Sequence, residues 1–187
     1  MSKKKAGIDL GLNEEEKNFL RDLAWQVIKH KARGEKIPEF SPPTKKLKEP
    51  RGAFVSVHKH GRLRGCIGYI YAEKPLYQTI REMAEAAAFH DPRFNPVSET
   101  ELQELEIEIS VLTPLQRIKD ISEIEIGKHG LYIVKGPYSG LLLPQVAVEY
   151  GWDRETFLEN TCIKAGLPPD SWKEEDTDIY IFSADIF

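Results

Sequence analysis

Sulfur is scarce in this chain of 187 residues: two cysteines, Cys66 and Cys162, and two methionines. Two cysteines exclude a disulfide framework, and without a CxxC pair or a Cys/His cluster there is no zinc-site spacing either. No apolar run approaches the length of a membrane span, so a membrane partner is not expected. The opening MSKKKAGIDLGLNEEE lacks the apolar core of a secretion signal, and the expected location is therefore the cytoplasm, where thiols stay reduced. GxGxxG, Walker-type, HExxH and GxSxG patterns are all missing, which removes the nucleotide-binding and hydrolase machines recognisable by those spacings.

What is present fits a charged globular protein: 41% hydrophobic and 30% charged residues. Lys and Glu dominate the charge, a balance associated with heat-adapted proteins. The net charge of -4 conceals an asymmetry. Residues 1–64 hold 16 Lys/Arg against 8 Asp/Glu, whereas the remainder holds 10 against 22. A basic first third could touch nucleic acid or an anionic ligand. However, the stretch from Lys29 to Arg51 mixes Glu35, Glu39 and Glu49 among its cations and offers only Phe40 for stacking. A solvated lysine-rich surface explains it better than a nucleic-acid groove.

Periodicity marks the elements. Asn13 caps a helix running to about Lys31, with Glu16 at the reciprocal capping position and Phe19, Leu20, Leu23, Ala24, Val27 and Ile28 on one stripe. Residues 35–51, punctuated by Pro38, Pro42, Pro43 and Pro50, read as an extended linker. A strand follows at 52–57, a turn at Lys59-His60-Gly61, and an irregular returning strand at 62–71. Pro75 opens a second helix that stops before Asp91-Pro92. From Glu104 to Val111 the chain alternates strictly, with Leu105, Ile107, Ile109 and Val111 on a buried face and Glu104, Glu106, Glu108 and Ser110 on a wet one. Leu131–Val134 and Leu141–Leu143 form a hairpin candidate, Gln145–Tyr150 a helical turn, Asp153 caps a helix ending at Gly166, and 178–187 is a final strand. The fold class is thus α+β: a mainly antiparallel sheet packed with helices in a larger domain (1–114 and 144–187), plus a smaller β-rich subdomain (115–143).

Chemistry concentrates at Leu63-Arg64-Gly65-Cys66-Ile67-Gly68. Read as a turn, its glycines open unusual backbone conformations and its successive amides can form an anion-binding nest. Arg64 beside Cys66 favours thiolate over thiol, making Cys66 a candidate nucleophile with Arg64 as anion clamp. The opposing explanation is that Cys66 packs as a small hydrophobe and the glycines only allow a sharp turn. Cys162, on the apolar face of a helix, is core. His90 is a candidate acid–base group, oriented by Asp91 unless Asp91 pairs instead with Arg93. His129 is a second such candidate, and Gln145 at a helix start could read a ligand by hydrogen bonds. His58 and His60 would share one side of a strand as a metal pair, though a solvent-facing hairpin end accounts for them as well and more simply; no metal site is assigned.

Six motifs in order carry a resemblance: GAFVSV, LRGCIG, HDPRFNP, EISVLTP, LLLPQVAVEYGW and FLENTCIKAGLPPDSW. Together they resemble the AMMECR family, named for the Alport syndrome, mental retardation, midface hypoplasia and elliptocytosis chromosomal region, whose prokaryotic members are also called AmmeMemoRadiSam system protein A. The similarity runs from about Gly52 to Phe187. It implies an α+β fold with a larger and a smaller domain and the hexapeptide lining a cleft between them, with Leu63, Gly65, Ile67 and Gly68 as ligand contacts; Arg93 is a further candidate contact taken from the residues alone. The resemblance also implies association with Memo-like and radical-SAM proteins. The family brings no assigned reaction, and the cofactor is unknown. The resulting expectation is a small anionic ligand bound at Leu63–Gly68, where a thiol could also transform it; the alternative is a non-catalytic adaptor for protein or nucleic acid.

Overall fold

The computed structural model describes residues 6–187. The first five residues, included in the expected domain 1–114, lie outside the described part. Packing divides the chain into two compact units, one of Gly11–Leu112 with Ile186–Phe187, the other of residues 6–10 with Thr113–Asp185.

In the first unit, α1 (Glu14–Ala32) begins at a complete capping box: Asn13 Oδ1 accepts the Glu16 N–H at 2.8 Å, and Glu16 Oε2 accepts the Asn13 N–H at 2.9 Å. Leu20, Leu23, Ala24, Val27 and Ile28 form its fully buried stripe. The proline-rich segment that follows is not a bare linker. It carries a 3₁₀ turn at Lys46–Lys48 that buries Leu47 completely, and Lys46 Nζ donates to the Gly11 carbonyl at 2.5 Å. At least one cation of the basic stretch is thereby committed to structure.

Strands β1 (Ala53–Lys59) and β2 (Arg62–Tyr69) form a hairpin whose two loop residues, His60 and Gly61, have φ of 51° and 72°. Two successive left-handed residues match the right-handed twist of paired strands. After β2, α2 (Leu76–Phe89) starts behind Pro75, and the Leu76 N–H donates to the Glu49 carbonyl at 2.9 Å. Strand β3 (Leu105–Leu112) pairs antiparallel with the other side of β1, giving the order β2-β1-β3 within this unit. Phe187 joins the unit through reciprocal backbone bonds with Ile109, at 2.8 and 3.0 Å. Helices α1 and α2 pack on the face of this sheet that bears Val55, Val57 and Ile109.

The second unit is also antiparallel. Strands β4 (Gln116–Ile118) and β5 (His129–Lys135) flank β7 (Asp178–Ile186), and β6 (Tyr138–Leu142) pairs with β5. Helices α3 (Pro144–Tyr150) and α4 (Arg154–Lys164) complete it, the latter capped by Asp153 Oδ1 on the Thr156 N–H at 2.8 Å. Ile118, Ile124, Leu131 and Ile133 share one apolar cluster with Ala147, Phe157, Leu158, Cys162, Ile179 and Ile181. Residues 115–143, expected as a small subdomain, therefore share a core with segments from 144–185 that the sequence assigned to the larger domain. That partner choice depends on long-range burial, which local periodicity does not encode.

Helices packed with antiparallel strands make the protein α+β, as expected. No helix among the described residues is long and apolar enough to cross a membrane.

Candidate functional site

The hexapeptide is a strand. Leu63–Gly68 lies inside β2, paired with β1 from Ala53↔Tyr69 to Val57↔Gly65. The register then slips: His58 faces Leu63, so Arg64 is the extra residue of a β-bulge. The expected irregularity is therefore one bulged residue rather than a turn. Because successive N–H groups of a strand point to opposite sides, the amides of 65–68 cannot converge as a nest. Nor do Gly65 and Gly68 have positive φ. They are needed for room. A Cβ on Gly65 would sit 2.0 Å from the Ala87 carbonyl oxygen of α2, and one on Gly68 would fall 2.1 Å from Cγ of Phe54.

The closeness of Gly65 to α2 fixes which way its neighbours point. In a strand the side chains alternate, so Cys66 and Gly68 lie on the face turned away from the helices. Cross-strand register there lines up three residues from three strands: Cys66 opposite Ser56, and Ser56 opposite Glu108. Ser56 Oγ donates to Cys66 Sγ at 3.2 Å. On one side runs Gly68-Phe54-Ser110, on the other Leu63-His58-Glu106. Ser56 and Ser110 are buried, so the face expected to be wet along β3 is shielded at its Ser110 end.

Within this unit β2 pairs with β1 on one side; Cys66 presents its own peptide groups to the other. There the Cys66 N–H donates to Asp91 Oδ2 at 2.9 Å and the Cys66 carbonyl accepts from Arg93 Nη2 at 3.2 Å. Asp91 and Arg93 grip each other through Nε–Oδ1 at 2.9 Å and Nη2–Oδ2 at 2.7 Å. Of the two partners considered for Asp91, the structure has Arg93 and not His90. The Arg93 guanidinium, opposing the cost of burial, holds the Asp91 carboxyl far below the usual carboxylate range; the amides of Cys66 and Arg93 add to it. In return the Asp91 carboxylate, with a smaller contribution from Cys66, holds the Arg93 pKa up.

Arg64 is deeply engaged elsewhere. Its Nε and Nη2 form a two-pronged pair with Glu101 at 3.0 and 3.1 Å, and Nη1 donates to the Asn95 carbonyl at 2.8 Å. The pair brings the Glu101 carboxyl down to about 2, with the Ser98 amide helping against burial. Arg64 thus ties the bulge to the 95–101 loop, which is a different task from clamping a ligand anion. His90 ends α2 with its side chain 63% exposed and Nε2 3.9 Å from Glu85. His60 occupies the hairpin loop and bonds Glu104 at 2.5 Å, so it is not a strand partner of His58. Among the described residues no group of three or more His, Cys, Asp or Glu is placed to hold a metal ion.

His129 and Gln145 belong to the other unit. His129 opens β5, its Nδ1 accepts the Glu125 N–H at 3.2 Å, and burial pushes its pKa down. Gln145 follows Pro144 in the first turn of α3. Cys162 is buried in the apolar cluster, and burial pushes its thiol pKa up. The structure gathers Cys66 and Arg93 into direct contact, with Arg64 two residues along the strand. Ser56, Glu108 and the Cys66-directed role of Asp91 were missed by the sequence reading. The one local signal for Ser56 is a lone hydroxyl in the apolar strand Ala53–Val57; Glu108 becomes its neighbour only through pairing between distant segments.

The family model AMMECR1 matches residues 21–187. The chain belongs to the AMMECR1 family. Relatives at similar distance include Protein MK0488 of Methanopyrus kandleri, 46% identical over 185 residues covering 94% of this chain and 89% of that protein. Protein TK0174 of Thermococcus kodakarensis is 45% identical, covering 94% and 91%. Among solved structures, the crystal structure of the uncharacterised protein PH0010 from Pyrococcus horikoshii superposes with a TM-score of 0.89 at 42% identity, covering 94% of this chain and 92% of that one. The AMMECR1 match includes the hexapeptide strand, its partner β1 and the Asp91–Arg93 segment, and so spans every residue of the Cys66 row.

Proposed function

We propose that this AMMECR1-family protein binds a small molecule carrying an anionic group on the helix-free face of the β2-β1-β3 sheet, with the Cys66 thiol at the point of contact. The observation that carries this reading is the hydrogen bond from Ser56 Oγ to Cys66 Sγ. A hydroxyl donating to sulfur favours the ionised thiol, and Cys66 is half-buried rather than sealed in the core as Cys162 is. Arg93 spends Nε and Nη2 on Asp91 and the Cys66 carbonyl, but its side chain is 45% exposed at the outer edge of β2, against 15% for Arg64, and its Nη1 is the donor offered to the ligand's anionic group. In this reading Arg64 supports the site by fixing the bulge, and Leu63, Gly65, Ile67 and Gly68 supply its backbone.

Alkylation of the native protein by iodoacetamide at neutral pH tests the proposal, with each thiol followed by peptide mass spectrometry. Cys66 should react at least tenfold faster than Cys162, and phosphate, or small mono- and dicarboxylates, should slow the reaction at Cys66. Equal, sluggish labelling of both thiols removes the thiol from the proposal. Rapid labelling untouched by any of these anions removes the anionic ligand.

A further inference from the structure

Deepening the reading of the Cys66 site, and resting on it, we propose that Asp91 and Arg93 are positioning residues for the Cys66 thiol: they fix its peptide from the outer side of β2 and bias its ionisation by opposed charges. A strand lacking a neighbour normally leaves its outward N–H and C=O to water. At Cys66 both are taken, the N–H by Asp91 Oδ2 and the C=O by Arg93 Nη2. The same Nη2 also bonds Asp91 Oδ2 at 2.7 Å, and Asp91 Oδ1 accepts the Arg93 N–H at 3.1 Å, so the two side chains form one rigid fork. With the peptide held on this side and β1 pairing on the other, the direction of the Cys66 Cα–Cβ bond is set. Sγ is thereby kept at the Ser56 hydroxyl.

Two features suit the fork to charge as well as geometry. The Asp91 side chain is 1% exposed, and a buried carboxylate is costly where a neutral amide oxygen could accept the same N–H. The groups that strand register and hydrogen bonding place around Cys66 include Ser56 and His58 from β1, Glu106 and Glu108 from β3, and the Asp91–Arg93 fork itself. Arg64 is neutralised by Glu101. The fork therefore holds both an anion and a cation within bonding reach of the Cys66 peptide, and the thiol senses their difference.

The test is the pH profile of Cys66 alkylation by iodoacetamide in the full chain and in the variants R93Q, R93K and D91N. The reaction forms an S–C bond, releases iodide, and leaves the thiol proton with solvent, so its midpoint reads thiol ionisation. R93Q leaves the Asp91 carboxylate unneutralised and should raise the midpoint by about one pH unit, slowing the reaction about threefold at neutral pH. R93K keeps the charge and should restore the midpoint. D91N leaves Arg93 unopposed and should lower it. A purely structural fork would instead loosen Cys66 in both charge-removing variants and move both midpoints the same way, which overturns the proposal, as does an unchanged midpoint in R93Q. Should D91N fail to fold, the contrast of R93Q with R93K decides alone. The two proposals fail separately: wild-type Cys66 labelling no faster than Cys162 sinks the site, while absent midpoint shifts sink only the fork.

Discussion

Asp91 accepts the backbone N–H of Cys66 across 25 residues of sequence, at 2.9 Å, with its carboxylate almost entirely hidden from water. Removing it strands the Cys66 N–H and uncouples Arg93. Asp91→Ala should therefore cost about 3 kcal/mol, the lower end for a broken buried pair because Arg93 is half-exposed and can turn to solvent. Urea denaturation at pH 7 measures it. The pH dependence follows from the depressed carboxyl. Its stabilisation is complete above the unfolded aspartate pKa of about 4 and is lost as pH falls below that toward the folded value. Between about pH 4 and pH 2 the wild type should therefore lose more stability than Asp91→Asn.

Glu101 makes a second acid-sensitive link. Its pKa falls from 4.5 to about 2, owing first to Arg64, and its side chain is 18% exposed. A depressed carboxyl stabilises above the unfolded pKa and loses that contribution on the way down, here between about pH 4.5 and 2, amounting to about 2–3 kcal/mol. Arg64→Ala should forfeit a similar amount at pH 7, visible as a lower urea midpoint. It should leave the alkylation midpoint of Cys66 close to wild type, because Arg64 and Glu101 spend their bonds on each other and on the 95–101 loop, whereas Asp91 and Arg93 bond the Cys66 peptide itself. A large rise in that midpoint would restore Arg64 to the role of direct thiol activator.

These two links also show where the sequence was legible. Asn13 with Glu16, Asp153, and the alternation from Leu105 to Val111 are local signals, and each marks an observed element. The hexapeptide was found but misread, because glycine reports two different needs with one letter. At Gly61 it reports a left-handed backbone, at Gly65 a carbonyl too close for any Cβ. Only the packing of α2 distinguishes them. The row Cys66-Ser56-Glu108 was illegible for another reason: it exists only through register among three strands, and a shift by one residue would put different side chains on that face. Asp91 beside Arg93 suggested a local pair, and the pair is there, but its target on β2 is a long-range contact.

Glu16 tests how far the N-terminal helix depends on a buried charge. Burial alone would raise its pKa, yet the Thr44 hydroxyl at 2.5 Å, the Asn13 N–H and nearby Lys46 bring it below the ordinary value. Its side chain is 2% exposed. Glu16→Ala removes the partner of Thr44 and half the capping box, and should cost about 2–3 kcal/mol. Asn13→Ala removes the other half only, at about 1 kcal/mol. Thermal denaturation followed by circular dichroism should rank Glu16→Ala as the more damaging; the reverse order would place the value of this corner in the cap alone.

The two glycines of the hexapeptide should respond differently to the same added methyl group. At Gly65 the obstacle is backbone: the Ala87 carbonyl oxygen, its carbon and its Cα all lie within 4 Å of the added Cβ, the oxygen at 2.0 Å. Relief requires β2 and α2 to separate, which disturbs the fully buried Val55 and Val57 beneath the helix and the fork that follows α2 at Asp91. At Gly68 the obstacle is the root of the Phe54 ring, with Cγ at 2.1 Å and both Cδ atoms within 2.4 Å, on a half-buried side chain that must swing aside as a whole while the backbone stays in place. Gly65→Ala should therefore destabilise by about 3 kcal/mol or more, and Gly68→Ala by about 1. Because Gly65 adjoins Cys66, its variant should also weaken the hold of Asp91 on the Cys66 N–H. Amide hydrogen exchange at Cys66 should accelerate in Gly65→Ala beyond the change in global stability, and in Gly68→Ala only in step with it. Equal acceleration in the two variants would mean that helix α2 and the fork move independently, and that the close approach at Gly65 does not hold the thiol in place.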